Sequence, residues 1–204
     1  MATYASTGNT VGYETLDFRS INYRITNLDS MNNFKQKYLS QRWAFKLKSP
    51  PVLRSEAFQV LAGFTASKSR GTTTLVPPVI ASTSGTASGT VTAQLISSTT
   101  PSYNYVKGST NIAVSGGSGT LKKGDMIKFS NHTKVYMLTA DVNLDGSTID
   151  TLSIFPALFT DLTAGATITY NNVPFTVSYE SDLFEIRTDQ NGYYTYELDY
   201  KEEY

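Results

Sequence analysis

Gln41-Arg42-Trp43-Ala44-Phe45-Lys46-Leu47-Lys48, closed by Pro50-Pro51 and followed by a stretch that ends at Pro77-Pro78, is the segment whose reading decides the fold. Trp43, Phe45 and Leu47 fall on alternate positions, with Arg42, Lys46 and Lys48 between them. That is the period of a strand with one buried face. The proline pair cannot donate to a ladder, so the strand stops there. From Ser55 to Lys68 the spacing predicts a helix, with Ala57, Leu61 and Phe64 at i, i+4 and i+7 and Phe58 widening the stripe. Ser55 or a neighbour can cap it, Glu56 suits its positive end, and Lys68, Arg70 and Gly71 suit the other. Trp43 is expected under this helix, against Leu61 or Phe64. Thr72 to Val76 is a short β-branched run, so a second strand follows.

Composition bounds the rest. The chain has 204 residues, enough for one sizeable core or for one domain carrying a smaller one. Its 17 basic and 17 acidic residues cancel, so no global charge draws it to nucleic acid or an anionic membrane. It contains no cysteine, which excludes a disulfide framework and thiolate chemistry. No apolar run approaches the roughly 20 residues that span a bilayer, and no basic segment leads into one at the start. A soluble protein without a cleaved signal is expected.

Working outward, Met1 to Thr15 is small, polar and aperiodic, the pattern of an arm. Phe18 to Thr26 reads as a strand with Ile21, Tyr23 and Ile25 on one face, and Asn27 to Tyr38 as a connecting loop. After Pro78 the composition shifts to Ser, Thr, Ala and Gly, with an apolar alternation at Val91, Ala93 and Leu95. Ser115-Gly116-Gly117-Ser118-Gly119 reads as a flexible patch. The shift marks a domain boundary. Residues 1–81 and 171–204 are therefore expected to form one discontinuous domain, and residues 82–170 an inserted small β-barrel.

Within the insertion, Leu121-Lys122-Lys123-Gly124-Asp125-Met126-Ile127-Lys128-Phe129 aligns with Leu162-Thr163-Ala164-Gly165-Ala166-Thr167-Ile168-Thr169-Tyr170. The two are either a duplicated binding element or two turns that feed strands of the barrel, because Leu-x-x-Gly gives a tight bend before an alternating run. Lys134 to Ala140 and Thr151 to Phe155 supply further strands. From Val173 the earlier style returns: Phe175, Val177 and Tyr179 alternate, and Asp189-Gln190-Asn191-Gly192 is a hairpin signal between Leu183–Thr188 and Tyr193–Tyr200. Tyr194, Tyr196, Leu198 and Tyr200 share a face.

Charge is segregated. Arg19, Arg24, Lys35, Lys37, Arg42, Lys46, Lys48 and Arg54 face Asp29 alone over one segment. From Glu180 onward Asp182, Glu185, Asp189, Glu197, Asp199, Glu202 and Glu203 outweigh Arg187 and Lys201. The two segments either join neighbouring copies head to tail or pair as adjacent strands within one chain.

Motifs for chemistry are few. His132 is the sole histidine and is placed at a hairpin tip. No Ser/His/Asp set, HExxH helix, P-loop or dinucleotide fingerprint is present, and no carboxylate pair can be assigned as acid and base. Asp141-Val142-Asn143-Leu144-Asp145-Gly146 matches the opening of a calcium loop, but Leu152 stands where the bidentate Glu belongs, so a hairpin turn is expected. Asn131-His132-Thr133 is a glycosylation sequon that needs a secretory route. No catalytic, cofactor-binding or metal site is assigned, and no cofactor is called.

Gln41-Arg42-Trp43-x-Phe45, Pro50-Pro51, Arg54-x-Glu56-Ala57, Phe64, Arg70-Gly71 and Pro77-Pro78 together resemble the core of distal tail and baseplate-hub ring proteins of tailed bacteriophages. The Leu-x-x-Gly-Asp insertion and the closing Tyr-Tyr-Thr-Tyr-Glu-Leu are similar to the same group. The resemblance covers residues 16–80 and 173–204 best. It implies a mainly β fold: a tail-tube-like domain with one packed helix, at about 55–68, and an inserted small OB-like β-barrel. It also implies a structural virion protein, not an enzyme, made in the host cytoplasm and located at the distal end of the tail. Its partners would be itself in a ring, commonly a homohexamer, the tail tube protein, and baseplate hub or tail-tip proteins, with no nucleic-acid contact. The alternative is a host-surface carbohydrate-binding module, with Tyr103, Tyr105, Tyr136 and Tyr170 of the barrel presented to a saccharide.

Overall fold

The structure, a computed structural model, describes residues 13–28, 34–66, 71–94, 103–146, 149–163 and 165–204. The expected N-terminal arm up to Gly12 and the helix-ending Lys68 and Arg70 lie outside the described residues. In chain order the elements are β1 (Thr15–Leu28), β2 (Phe34–Lys48), α1 (Arg54–Ala66), β3 (Thr72–Leu75), α2 (Pro78–Ala81), β4 (Ser88–Ala93), β5 (Tyr103–Tyr105), β6 (Asn111–Leu121), β7 (Met126–Phe129), β8 (Val135–Leu138), β9 (Val142–Leu144), β10 (Asp150–Phe155), β11 (Leu162–Thr163), β12 (Thr167–Thr169), β13 (Phe175–Tyr179), β14 (Ile186–Thr188) and β15 (Tyr194–Glu202). The fold is mainly β. The chain divides into two compact units, one that ends at Thr73 and resumes over Val177–Glu203, and one of Thr74–Thr176.

In the first unit the sheet order is β1-β2-β15-β13-β3, with β14 also paired to β15. Register explains its core. Antiparallel pairing sets Leu47 opposite Leu198 and Phe45 opposite Tyr200, and on the other side sets Phe18 opposite Phe45. Trp43, Phe45, Leu47, Leu198 and Tyr200 are all buried. Phe18 stacks on Trp43, with centroids 5.0 Å apart. Because the even residues of β1 meet the odd residues of β2, Ile21 stands opposite Arg42, on the other face from Phe18. The face that Ile21, Tyr23 and Ile25 share, as expected, is the outer one, and Tyr23 and Ile25 are 39% and 47% exposed. Most of the expected loop Asn27–Tyr38 is strand as well, since β1 and β2 pair out to Leu28 and Phe34 across a bulge at Tyr23/Arg24. A partner strand supplies the order that the weak local pattern does not.

Helix α1 buries Ala57, Val60 and Phe64. The stripe thus runs through Val60 instead of Leu61, which is half-buried, while Phe58 is exposed. Its first turn is closed by Glu56, whose carboxylate accepts the Leu53 N–H at 3.3 Å, the return half of a capping box. Phe64 meets Tyr179 and Phe184 at 4.7 and 5.2 Å between centroids.

In the second unit β4-β6-β10-β8-β7-β12 run in order and β12 pairs back to β4, so six strands close a barrel, with β9 on the free edge of β6. Ile112, Val114, Leu121, Ile127, Phe129 and Leu138 are fully buried inside it. The Ser115–Gly119 stretch, expected to be flexible, is the middle of β6. This strand pairs successively with β10, β4 and β9. Such a corner needs a backbone that side chains forbid: Gly116 has φ +84, and a Cβ there would lie 2.5 Å from the Thr90 carbonyl oxygen. Glycine here marks close approach, not slack.

The internal repeat is two copies of one turn. Gly124 and Gly165 both have positive φ, Asp125 N–H donates to Lys122 O and Ala166 N–H to Thr163 O, and the strands that follow, β7 and β12, pair with Ile168 opposite Phe129. The ends of the insertion are stitched together: Val173 N–H donates to Ala81 O at 2.9 Å and Thr83 N–H to Asn171 Oδ1 at 3.1 Å. Gly116→Ala is expected to cost about 1–3 kcal/mol, the usual range for a residue held in a disfavoured backbone region. Urea unfolding of the variant, with an unchanged midpoint as the contrary result, checks the corner.

Candidate functional site

Polar groups of the barrel are absorbed by the barrel. His132 is 6% exposed, with Nδ1 2.9 Å from Tyr136 Oη and Nε2 3.2 Å from the Asp161 carbonyl oxygen. A carbonyl only accepts, so Nε2 carries the proton and Nδ1 accepts from the Tyr136 hydroxyl. Tyr136 Oη in turn accepts the Phe159 N–H at 3.2 Å. The ring is a neutral staple between the turn after β7 and the loop before β11. Burial pushes its pKa below the usual histidine value, against the opposing pull of the Asp161 carbonyl and carboxylate.

Asp125 is a structural anchor that the sequence reading passed over. Its carboxylate accepts Ser84 N–H at 2.8 Å, Ser84 Oγ–H at 2.7 Å, Lys122 N–H at 2.9 Å and the Thr83 hydroxyl. Burial alone would raise its pKa, but these donors together bring it below the ordinary carboxylate value. The available signal was the repeat itself, in which Asp125 has Ala166 as its counterpart.

The Asp141–Gly146 stretch is not a hairpin turn. It runs through β9, which pairs with Gly119–Leu121 and buries Val142 and Leu144. Asp141 Oδ1 accepts Lys123 N–H at 2.8 Å and Oδ2 accepts Lys122 Nζ at 3.0 Å. Among the described residues no group of three His, Cys, Asp or Glu could hold a metal ion.

The tyrosines proposed for a saccharide face belong to the core. Tyr105, Tyr136 and Tyr170 are 5%, 0% and 7% exposed. Tyr105 Oη accepts Ala113 N–H at 2.6 Å and Tyr170 Oη donates to Gly89 O at 2.5 Å. The side chain of Tyr103 lies outside the described residues. Aromatic rings in short alternating strands filled the barrel and used their hydroxyls to tie loops.

Surface chemistry is concentrated in the first unit. Lys46 meets Glu197 at 2.8 Å, Arg42 meets Glu203 at 3.1 Å and Lys48 meets Glu14 at 2.9 Å. The basic and acidic segments are thus adjacent strands pairing within one chain. The Lys46 contact raises that ammonium's pKa and lowers that of Glu197. Glu202, counted as a surface acid from the sequence, is fully buried and accepts the Trp43 N–H at 3.2 Å.

Two further surfaces remain, one apolar and one of mixed polar and aromatic lining. One is the outer face of β1 at Tyr23 and Ile25. The other is a cleft of about 220 Å³ where β13 and β14 leave a gap along β15; Phe64, Tyr179, Phe184, Tyr196, Leu183 and Lys48 are among its walls. Tyr196 is 2% exposed and its hydroxyl has no hydrogen-bond partner among the described residues. Burial, with Glu56 and Tyr179 nearby, pushes its pKa up to about 12.

Two results are expected. Between neutral pH and pH 5 the stability of the chain should carry a His132 component. It is complete above the ordinary histidine value of about 6.5 and is lost as pH falls toward the depressed folded value. Urea unfolding across that range should show the decline, and His132→Gln should remove it. Tyr196→Phe deletes an unsatisfied buried hydroxyl, whose cost is about 1–3 kcal/mol. Its thermal midpoint should match or exceed that of the unaltered chain, and a fall would mean that the hydroxyl is bonded.

Comparison with known proteins adds one finding. Residues 97–173, which run from β5 to β12 and hold five of the six barrel strands, match the family model described as distal tail protein pb9, B domain. The match supports a phage distal tail protein and bears out the resemblance seen in the sequence. No curated protein matches the chain.

Proposed function

We propose that this chain, a bacteriophage tail structural protein by the match of its barrel to a distal tail protein domain, forms a ring that connects the tail tube to the baseplate hub or tail tip. The observation that carries the reading is that match. A sheet with an open edge at each end supports it: β1, 14 residues long, closes the order on one side and β3 on the other. Unlike edges on one subunit make heterologous contacts, which close into a ring when the rotation allows it. A ring of six, the tube and hub as neighbours, the distal end of the tail as location and synthesis in the host cytoplasm follow from the resemblance. The role is mechanical, with no reaction assigned. A saccharide-binding reading has lost three of its four tyrosines, Tyr105, Tyr136 and Tyr170, to the core.

Sedimentation velocity followed by negative-stain imaging should give closed rings, and antibody labelling of particles should mark the distal end of the tail. A chain that stays monomeric at high concentration, or a label along the whole tail, would sink the ring.

The division into a discontinuous ring domain and an inserted barrel belongs to the same proposal, and the bonds that tie Ala81 to Val173 and Thr83 to Asn171 support it. Replacing residues 82–171 by a short Gly/Ser linker should leave a cooperative unfolding transition. A molten product without one would count against the division.

A further inference from the structure

The hairpin that joins β14 to β15 holds the chain's single Asn-Gly pair, Asn191-Gly192, and both residues are exposed. The turn is built from backbone groups and one carboxylate. Asp189 Oδ1 accepts Asn191 N–H at 2.9 Å and Tyr193 N–H at 2.8 Å, and Asp189 O accepts Gly192 N–H at 3.2 Å. None of these bonds uses the side-chain amide of Asn191, which has no hydrogen-bond partner among the described residues. Other asparagines are held: Asn111 Oδ1 accepts from Ser153 Oγ, Asn143 Oδ1 from Thr120 Oγ and Asn171 Oδ1 from Thr83 N–H. Each of those is followed by a residue with a side chain, Ile112, Leu144 and Asn172.

The glycine matters because the backbone nitrogen that follows an asparagine is a nucleophile within reach of the side-chain carbonyl carbon. Gly192 has φ +79, and nothing lies within 4 Å of where its Cβ would stand. With no side chain to crowd it, the chain is free to swing the Gly192 nitrogen onto Asn191 Cγ. The bond that competes for this nitrogen, to Asp189 O, is at the long end of the usual range. Opening one exposed turn is a low-cost local event.

We infer that Asn191 is a site of self-modification and that its product releases β14. The Gly192 nitrogen attacks Asn191 Cγ, the bond from Cγ to the side-chain nitrogen breaks, and ammonia leaves with the proton that Gly192 gives up through solvent. The cyclic imide that remains takes up one water. Opening at Cγ gives aspartate in an unaltered main chain, and opening at the main-chain carbonyl gives isoaspartate. One water enters and one ammonia leaves, with no oxidation or reduction. Either product adds a negative charge two residues from Asp189, and the second also lengthens the main chain by one methylene inside the turn. β14 is paired to β15 alone, with Ile186 opposite Tyr196, Arg187 opposite Thr195 and Thr188 opposite Tyr194. The turn sets that register, so an added main-chain atom offsets every one of these pairs. Arg187 is also a wall of the cleft along β15, which therefore differs between new and aged chains.

The full chain is held folded in mildly alkaline buffer and sampled over weeks, with circular dichroism as the check on folding. Peptide mass mapping should show the Asn191 peptide converting from amide to acid ahead of those that carry Asn111, Asn143 and Asn171. An isoaspartyl methyltransferase should label that peptide, and Asn191→Gln, which keeps an amide, should abolish the label on it. Hydrogen exchange at the amides of Ile186 to Thr188 should speed up in the aged isoaspartyl chain. It should not do so in Asn191→Asp, which gains the charge without the extra main-chain atom. Conversion of Asn191 in urea but not in the folded chain would show that the hairpin protects it, and would overturn the site. Conversion without the isoaspartyl label, or with exchange in β14 unchanged, would overturn the release.

Discussion

The first unit depends on the register between β2 and β15. These strands come from positions about three-quarters of the chain apart, as the bond from Tyr196 N–H to Ser49 Oγ illustrates, spanning 147 residues. A slip of one residue would turn every side chain to the opposite face. It would turn Lys46 and Lys48 to the core side and expose Phe45, Leu47, Leu198 and Tyr200. The observed register does the reverse, and it also sets Lys46 beside Glu197 and Arg42 beside Glu203. Glu202 then becomes intelligible. It falls on the core side of β15, and its carboxylate is held there by the Trp43 amide, because a buried charge needs donors to replace water.

The sequence was legible wherever a pattern is carried by local alternation. Trp43-x-Phe45-x-Leu47, Phe175-x-Val177, Tyr196-x-Leu198-x-Tyr200 and the Asn191-Gly192 hairpin all read correctly, since period and turn chemistry are properties of the segment itself. It was illegible where a distant partner decides. Ile21, Tyr23 and Ile25 look more apolar than Leu16 and Phe18, yet β1 takes its face from β2. Leu61 and Val60 are equally plausible on the helix, and the position of β13 and the 180–185 loop chooses between them. Gly116 to Gly119 is compositionally a linker, and only the strands at both sides of β6 make it a corner. The barrel tyrosines are ambiguous for a related reason: a hydroxyl at the end of a ring serves a core as readily as a ligand surface.

The two lines of evidence for kinship come from different parts of the chain. The resemblance read from the sequence lay mainly in residues 16–80 and 173–204, and the family match lies in residues 97–173. Asp125 lies inside the matched stretch and ties it to residues just before it. Its carboxylate, inside the second unit, gathers donors from Thr83 and Ser84 at the start of the inserted stretch and from Lys122 in the first copy of the repeated turn. The second copy has Ala166 there, no such bonds to make, and a turn that feeds β12. A repeat that is structural in origin has therefore been put to two uses. One copy shapes the barrel, and the other also fastens the barrel to its own entry segment.

The ring proposed above cannot draw much affinity from charge. Exposed pairs are screened over about 8–10 Å in ordinary salt, and Arg42, Lys46 and Lys48 already spend theirs inside the chain. What remains on the outer side of β1 is a strand edge together with Tyr23 and Ile25. An open edge of that length is a hazard for any soluble protein, because it accepts whatever strand approaches. Asp17 and Arg19, paired with each other at 3.3 Å, and Arg24 in the same strand reduce that hazard, because an incoming segment has to desolvate them. The charges on β1 are thus best understood as a filter on which partner gains access to the edge. Binding strength, for a ring built from these edges, has to come from the apolar side chains and backbone groups that the filter protects.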